Sequence, residues 1–156
     1  VIYSRSSEYA IRACVNLARI PPGKCAMVKD IAKDEKIPAH FLAKILQSLA
    51  RKGLLRSTRG PSGGFCLELP APDLKLLTIV HAVDGLAAYE RCVAGLPACS
   101  DDTPCPMHKD WSRLRTRILD YLERSSIGEL AGAVSRAKRE RRAVPRPPIW
   151  GASLKP

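Results

Sequence analysis

The 156-residue chain has few aromatic side chains. Two Phe, two Trp and four Tyr make up 5% of it. Aliphatic residues must therefore build most of the core, and the 46% hydrophobic content is ordinary for a globular protein. No apolar run approaches the ~20 residues needed to span a bilayer, which argues against a membrane protein. Histidine occurs only at His40, His81 and His108. No nucleophile–base–orienter set, phosphate loop or nucleotide fingerprint accompanies these histidines, which argues against an enzyme. The opening "VIYSRSSEYAIRA" carries arginines and a glutamate where a signal peptide needs its apolar stretch, so a cytoplasmic protein is expected.

Acidic residues are scarce too: 15 Asp and Glu face 26 Lys and Arg, a formal net charge of +11. From Lys36 to Leu67 there is no acid at all, while Lys36, Lys44, Arg51, Lys52, Arg56 and Arg59 fall in that window. A second basic run, Lys138, Arg139, Arg141 and Arg142, lies near the C-terminus. A balance of this kind points to a polyanionic partner.

Apolar periodicity places helices first. "SSEYAIRACVNLAR" brings Tyr9, Ala10, Ala13, Leu17 and Ala18 near one face. A short helix follows around Val28–Asp34. Pro38 suits the first turn of the next helix, in which Phe41 or Leu42, Ile45, Leu46 and Leu49 form the buried stripe. His40, Lys44, Gln47, Ser48, Arg51 and Lys52 fall largely on its other faces, and Gly53 stops it. "LLRSTRGPSGGFCLEL" then reads as two short strands around a Gly-Pro-Ser-Gly-Gly turn. Two helices, a tight turn and a basic hairpin are the order of a winged helix–turn–helix, whose second helix enters the major groove.

Further on, "LKLLTIVHAVDGL" predicts a helix ending near Gly85. "HKDWSRLRTRILDYLERSS" predicts a long amphipathic helix with Trp111, Leu114, Ile118, Tyr121 and Leu122 on one stripe, read as a dimer seam because symmetric DNA sites favour dimers. Ser126 and Glu129 supply a capping box for a last short helix. From about Lys138, arginines and prolines predict a disordered tail. The expected fold is mainly α with a small β-hairpin wing: a winged helix–turn–helix head plus a long dimerisation helix. Its parts are a DNA-binding domain over 1–85, a cysteine-rich loop over 86–108, the dimerisation helix and a short helix over 109–137, and the tail over 138–156.

Between the head and the long helix, Cys92, Cys99, Cys105 and His108 crowd into one stretch with the spacing C-x6-C-x5-C-x2-H. This is too open for a zinc ribbon, which pairs ligands more closely. Three thiolates and an imidazole suit zinc or an iron–sulfur cluster. Pro106 suggests that Cys105 is an N-cap with His108 as the third helical residue. Of the other cysteines, Cys14 is expected to pack inside a helix, Cys66 to sit in a strand and Cys25 to be exposed; none is assigned a site.

With "YSRSSEYAIRACVNLA", "IPAHFLAKILQSLARKGLLRSTRGPSGGF", "IVHAVDGL", the cysteine loop and "SIGELAGAV" in place, the chain resembles the IscR/NsrR family of bacterial winged-helix regulators. The resemblance covers Ile2 to about Ala133. It implies a homodimer that binds double-stranded operator DNA, most often as a repressor, under control of an iron–sulfur cluster sensing iron, redox state or nitric oxide. It implies Cys92, Cys99 and Cys105 as cluster ligands and His108 as the fourth, with Glu8 of the partner chain as the alternative. A 2Fe–2S cluster is expected ahead of 4Fe–4S. The expected DNA-contacting residues are His40, Ala43, Lys44, Gln47 and Arg51 in the recognition helix, and Arg56, Arg59, Gly60, Ser62, Gly63 and Gly64 in the wing. Ala43 stands where the iron–sulfur-assembly regulators carry an acid. The competing reading is a zinc-stabilised or metal-free winged-helix regulator with no iron–sulfur sensor.

Overall fold

The computed structural model describes residues 2–143 apart from Pro22, Pro61, Ser62 and Ala98. Helix α1 (Arg5–Leu17) is the centre of the fold. It packs against α2 (Val28–Glu35), α3 (Ala39–Arg51), α4 (Leu76–Asp84) and α7 (Ile127–Ala143). That position explains its composition: Ala10, Ala13 and Cys14 are fully buried, and small side chains let several helices approach one axis. Ser4 caps it, accepting a 3.2 Å bond from the Ser7 backbone N–H. Ser4 is itself held by Asp84 at the end of α4, donating from its backbone N (2.8 Å) and from Oγ (2.5 Å).

Helices α2 and α3 form the helix–turn–helix. Lys36 ends α2 in the left-handed region (φ 54°), and its neighbour Ile37 is buried and returns an N–H to Ala32 O. Pro38 stands at the N-cap of α3 rather than inside its first turn. Leu42, Ile45, Leu46 and Leu49 are the buried stripe; Phe41 is instead 41% exposed and meets Tyr9 edge-on at 6.0 Å.

Strands β1 (Leu55–Thr58) and β2 (Gly64–Leu67) pair antiparallel, Arg56 opposite Cys66 and Thr58 opposite Gly64. A one-residue bridge joins Ala26 to Phe65 through two reciprocal bonds of 2.9 and 2.8 Å, so the segment before α2 lines the free edge of β2. This makes the wing part of the head rather than a loose flap. It also explains Gly64 (φ 147°), where a Cβ would come within 2.2 Å of the Ala26 carbonyl oxygen.

Helix α4 ends at Gly85 (φ 73°), as its pattern predicts. A single turn, α5 (Ala87–Glu90), leads into the cysteine loop, and α6 (His108–Arg124) leaves it. The capping box at the start of α7 is formed both ways: Ser126 N–H donates to Glu129 Oε2 (2.9 Å) and Glu129 N–H to Ser126 Oγ (3.2 Å).

Helix α7 corrects one expectation. It is long, not short, and residues 138–143 are helical rather than part of a tail. "AKRERRA" is built from strong helix formers, which outweigh its charge. The rest of the expected tail, 144–156, lies outside the described residues. Among the described residues, no helix is long and apolar enough to cross a membrane.

Candidate functional site

Two surfaces carry chemistry. The first is the exposed side of α3 with the wing. His40, Lys44, Gln47 and Arg51 recur every three or four positions, all exposed, on the side opposite the Leu42–Leu49 stripe; Ala43 is half-buried beside them. Arg56 and Arg59 are exposed on the wing, with Gly60 (φ 105°) at its turn. Ser62 lies outside the described residues. Gly63 is buried, and a Cβ there would strike Thr58 O at 2.5 Å. Packing therefore demands glycine at 63 and 64, whatever else they touch. Glu35, the last acid before the basic window, is held by α1. Arg12 Nε lies 3.5 Å from one of its oxygens, and Asn16 Nδ2 donates to the other (3.0 Å). Both oxygens of its carboxylate are thus engaged by α1 side chains.

The second surface is the thiol loop. Its four predicted donors meet as two pairs. Cys92 Sγ lies 3.7 Å from Cys105 Sγ, and Cys99 Sγ lies 3.5 Å from His108 Nδ1. Cys92, Cys105 and His108 are buried and Cys99 is half-buried. Backbone N–H groups hold the Cys92 thiol below its ordinary pKa, that of Leu96 first and those of Ala94 and Gly95 after it, with the Cys105 thiol helping and burial opposing. A low-lying thiol favours the thiolate, the form that binds metals.

These separations allow a test of fit. Two sulfurs bound at about 2.3 Å to one tetrahedral metal lie about 3.8 Å apart, and such a sulfur lies about 3.6 Å from a nitrogen at about 2.1 Å. Each pair matches the spacing of two donors on one metal. The pairs do not merge: among the described residues, no three His, Cys, Asp or Glu side chains are placed to hold a single ion.

The start of α6 differs from expectation. Cys105 is not its N-cap and His108 is not its third residue. The helix begins at His108 behind Met107, after a turn closed by His108 N–H to Cys105 O (2.9 Å). The Cys105 carbonyl closes this separate turn, while the helix's own first bond runs from Trp111 N–H to Met107 O (2.9 Å). The turn folds His108 back over the loop.

Sequence reasoning missed Asp101. Its Oδ1 lies 2.8 Å from His108 Nε2. A carboxylate only accepts, so Nε2 carries a proton toward Asp101, and Nδ1 is the ring nitrogen that faces Cys99. The remaining candidate, Glu8, lies on α1 and is bridged to Arg12 at 3.2 Å.

The loop is clamped to α6 at its entrance. Trp111 Nε1 donates to Arg91 O (3.1 Å) and Arg115 donates to Tyr89 O (3.3 Å). Residues 3–133 match the sequence model of Rrf2, described as an iron-dependent transcriptional regulator. The chain belongs to the Rrf2 family. It is 33% identical over 132 residues to an HTH-type transcriptional regulator of Aquifex aeolicus, covering 83% of this chain and 91% of that one. It is 31% identical to the HTH-type transcriptional regulator IscR of Vibrio campbellii, covering 79% and 73%. Among solved structures, CymR, the global cysteine regulator of B. subtilis, superposes with a TM-score of 0.70 at 21% identity, covering 83% and 95%. The Rrf2 chain is thus a transcriptional regulator with a DNA-binding winged-helix fold, and its family's role is regulation rather than catalysis.

Proposed function

We propose that this Rrf2 regulator is a homodimeric repressor whose grip on operator DNA is set by a 2Fe–2S cluster in the thiol loop. The observation that carries this reading is the pairing of donors, Cys92 with Cys105 and Cys99 with His108, each at the spacing of two ligands on one tetrahedral metal. A two-iron cluster takes two protein ligands on each iron, which favours it over a four-iron one. When bound, such a cluster supplies a centre sensitive to electrons, iron supply and nitric oxide.

The chain's own residues relay the state of the loop. Trp111 and Arg115 tie the loop entrance to α6, and His108, at the loop's exit, is itself the first residue of α6. A loop drawn tight by its four donors therefore biases the orientation of α6. On α6, Leu114 and Tyr121 are each 52% exposed one heptad apart, with Trp111 and Ile118 half-buried beside them, while Leu122 is fully buried in the fold. That outward stripe is the dimer seam, so a change in α6 resets the spacing of two heads reading two half-sites. His40, Ala43, Lys44, Gln47 and Arg51 face the major groove. Arg56, Arg59, Gly60 and Ser62 reach the backbone or minor groove, and Gly63 and Gly64 shape the wing that presents them.

Anaerobic purification with iron and sulfide analysis, absorption and Mössbauer spectra tests this. A brown protein with two irons and two sulfides per chain is expected. Replacing any of Cys92, Cys99 or Cys105 with Ala abolishes stable iron binding, whereas His108→Ala alters the spectrum more gently. A colourless protein holding zinc, or nothing, overturns the cluster. A spectrum untouched by His108→Ala but changed by Glu8→Ala moves the fourth ligand to Glu8.

A further inference from the structure

A second pair of thiols lies at the base of the wing, away from the loop. Ala26 and Phe65 exchange both backbone bonds. The next antiparallel pair outward, Cys25 and Cys66, is therefore a non-hydrogen-bonded pair, in which Cα atoms stand about 4.5 Å apart and side chains share one face. That spacing lies within the range that a disulfide bridges, about 4.4–6.8 Å between Cα atoms. On the other side of β2, Arg56 is the register partner of Cys66. One row across β1, β2 and the segment bridged to β2 thus reads Arg56, Cys66, Cys25: a cation beside two thiols. The side chains are in mutual reach. Burial and then Cys25 push the Cys66 thiol up, while Arg56 pulls it down.

We propose that Cys25 and Cys66 form a redox-modification site at which a hydroperoxide closes a disulfide between the segment before α2 and the wing. Cys25 is the attacking thiol. It is half-buried and, with Arg56, lines an open cleft of about 750 Å³; Cys66 is only 7% exposed. The Cys25 thiolate attacks one peroxide oxygen, the O–O bond breaks, and hydroxide leaves and is protonated to water. Cys25 is then a sulfenic acid. The Cys66 sulfur attacks the Cys25 sulfur, the S–O bond breaks, and a second water leaves with the thiol proton. Two thiols lose two electrons in total, and one hydroperoxide, here hydrogen peroxide, becomes two waters. A thiol reductant reverses the bond. Arg56 favours negative charge on the Cys66 sulfur as it attacks Cys25. Because Arg56 also belongs to the proposed DNA surface, closing the bridge beside it changes operator affinity. That last step rests on the DNA-binding reading above; the disulfide itself does not.

The full chain, prepared anaerobically with its metal content intact, is treated with equimolar hydrogen peroxide. Free thiols are alkylated and the protein is digested with trypsin without reduction. Peptide 25–29 linked to peptide 60–75, short of two hydrogens and released by dithiothreitol, is the expected product. Finding both cysteines alkylated, or either linked to a loop cysteine instead, overturns the site. Operator affinity is measured in parallel on wild type and Cys25→Ser. A peroxide-induced change of about fivefold or more, the low end of typical couplings, is expected in wild type, reversed by dithiothreitol and lacking in Cys25→Ser. If the linked peptide forms but the two proteins respond alike, the disulfide stands and its control of DNA binding is overturned.

Discussion

Asp101 Oδ1 sits 2.8 Å from His108 Nε2, and this bond turns the other ring nitrogen toward Cys99. The Asp101 side chain is almost wholly exposed while His108 is buried, so an exposed carboxylate orients a buried imidazole. Partners of this kind fix ring orientation and ligand basicity at metal sites, and their loss costs about 10–100-fold in metal affinity. Asp101→Ala is therefore expected to speed iron loss to a chelator by about that factor. Asp101→Asn, which can still accept through its carbonyl, loses less. Equal chelation rates for wild type and Asp101→Ala would remove Asp101 from the site.

The proposed DNA surface is expected to separate into readers and anchors. Arg59→Ala is expected to weaken binding to all operator variants alike and to reduce the log–log salt slope by ~0.9 if one phosphate contact is lost. Lys44→Ala should instead redistribute preference among variants, a good bidentate base contact being worth ~1–3 kcal/mol. Titrations across a salt series with several operator sequences distinguish the two. An unchanged slope for Arg59→Ala removes the wing from the interface, and an unchanged preference for Lys44→Ala removes it from base readout.

The outward stripe of α6 predicts its own behaviour. Leu114→Glu with Tyr121→Glu puts charge on two side chains that are each half exposed in the single chain. The variant is expected to sediment as a monomer, keep a cooperative thermal transition and bind a two-half-site operator far more weakly. A stable dimer in sedimentation velocity would move the seam elsewhere.

Strong periodicity made some of this legible in advance. The Leu42, Ile45, Leu46 and Leu49 stripe announces α3 and leaves His40, Lys44, Gln47 and Arg51 outside, where they are found. Gly85 and the Ser126–Glu129 box mark helix ends through local chemistry alone. Contacts between distant segments leave no such pattern. The Ala26–Phe65 bridge involves one residue on each side, too few for an alternation, so neither the third edge of the wing nor the Cys25–Cys66 pairing could be read from spacing. Asp101 looked like any loop acid until the turn at Cys105 folded His108 back over it. The extent of α7 was hidden by the prolines beyond it, which colour the composition of residues that are themselves good helix formers.

The same bridge makes Gly64 critical. Its φ of 147° is one that L side chains rarely adopt, and an added Cβ would meet the Ala26 carbonyl oxygen and carbon at 2.2 and 2.5 Å, both backbone atoms that cannot turn aside. Gly60 also has positive φ, but a Cβ there meets nothing within 4 Å. Backbone strain alone costs on the order of 1–3 kcal/mol. Gly64→Ala should exceed Gly60→Ala in destabilisation, because it adds a collision to the strain. Urea denaturation measures both, and equal losses would show that the wing edge can open without cost.

The Ser4–Asp84 contact ties the first turn of α1 to the end of α4, 80 positions apart. Burial pushes the Asp84 carboxyl up, but the hydrogen bonds from Ser4, through its side chain and backbone, oppose it, and the pKa lies below the ordinary carboxylate value. A carboxyl with a depressed folded-state pKa adds stability that is present above its unfolded pKa of about 3.9 and is lost as pH falls through the lower folded value. Bonds to charged groups are worth about 1.5–3 kcal/mol, and solvent exposure of this pair lowers its contribution to about 1 kcal/mol. Asp84→Ala is therefore expected to destabilise by roughly 1 kcal/mol at pH 7, with the gap to wild type narrowing as the pH drops below about 4. Ser4→Ala should cost a similar ~1 kcal/mol through the lost cap. It should also narrow the pH dependence, because Asp84 loses its Ser4 hydroxyl donor. Denaturation curves at pH 7 and pH 3 decide it: a penalty for Asp84→Ala of the same size at both pH values would mean that the charge on Asp84 contributes nothing to holding α1 against α4.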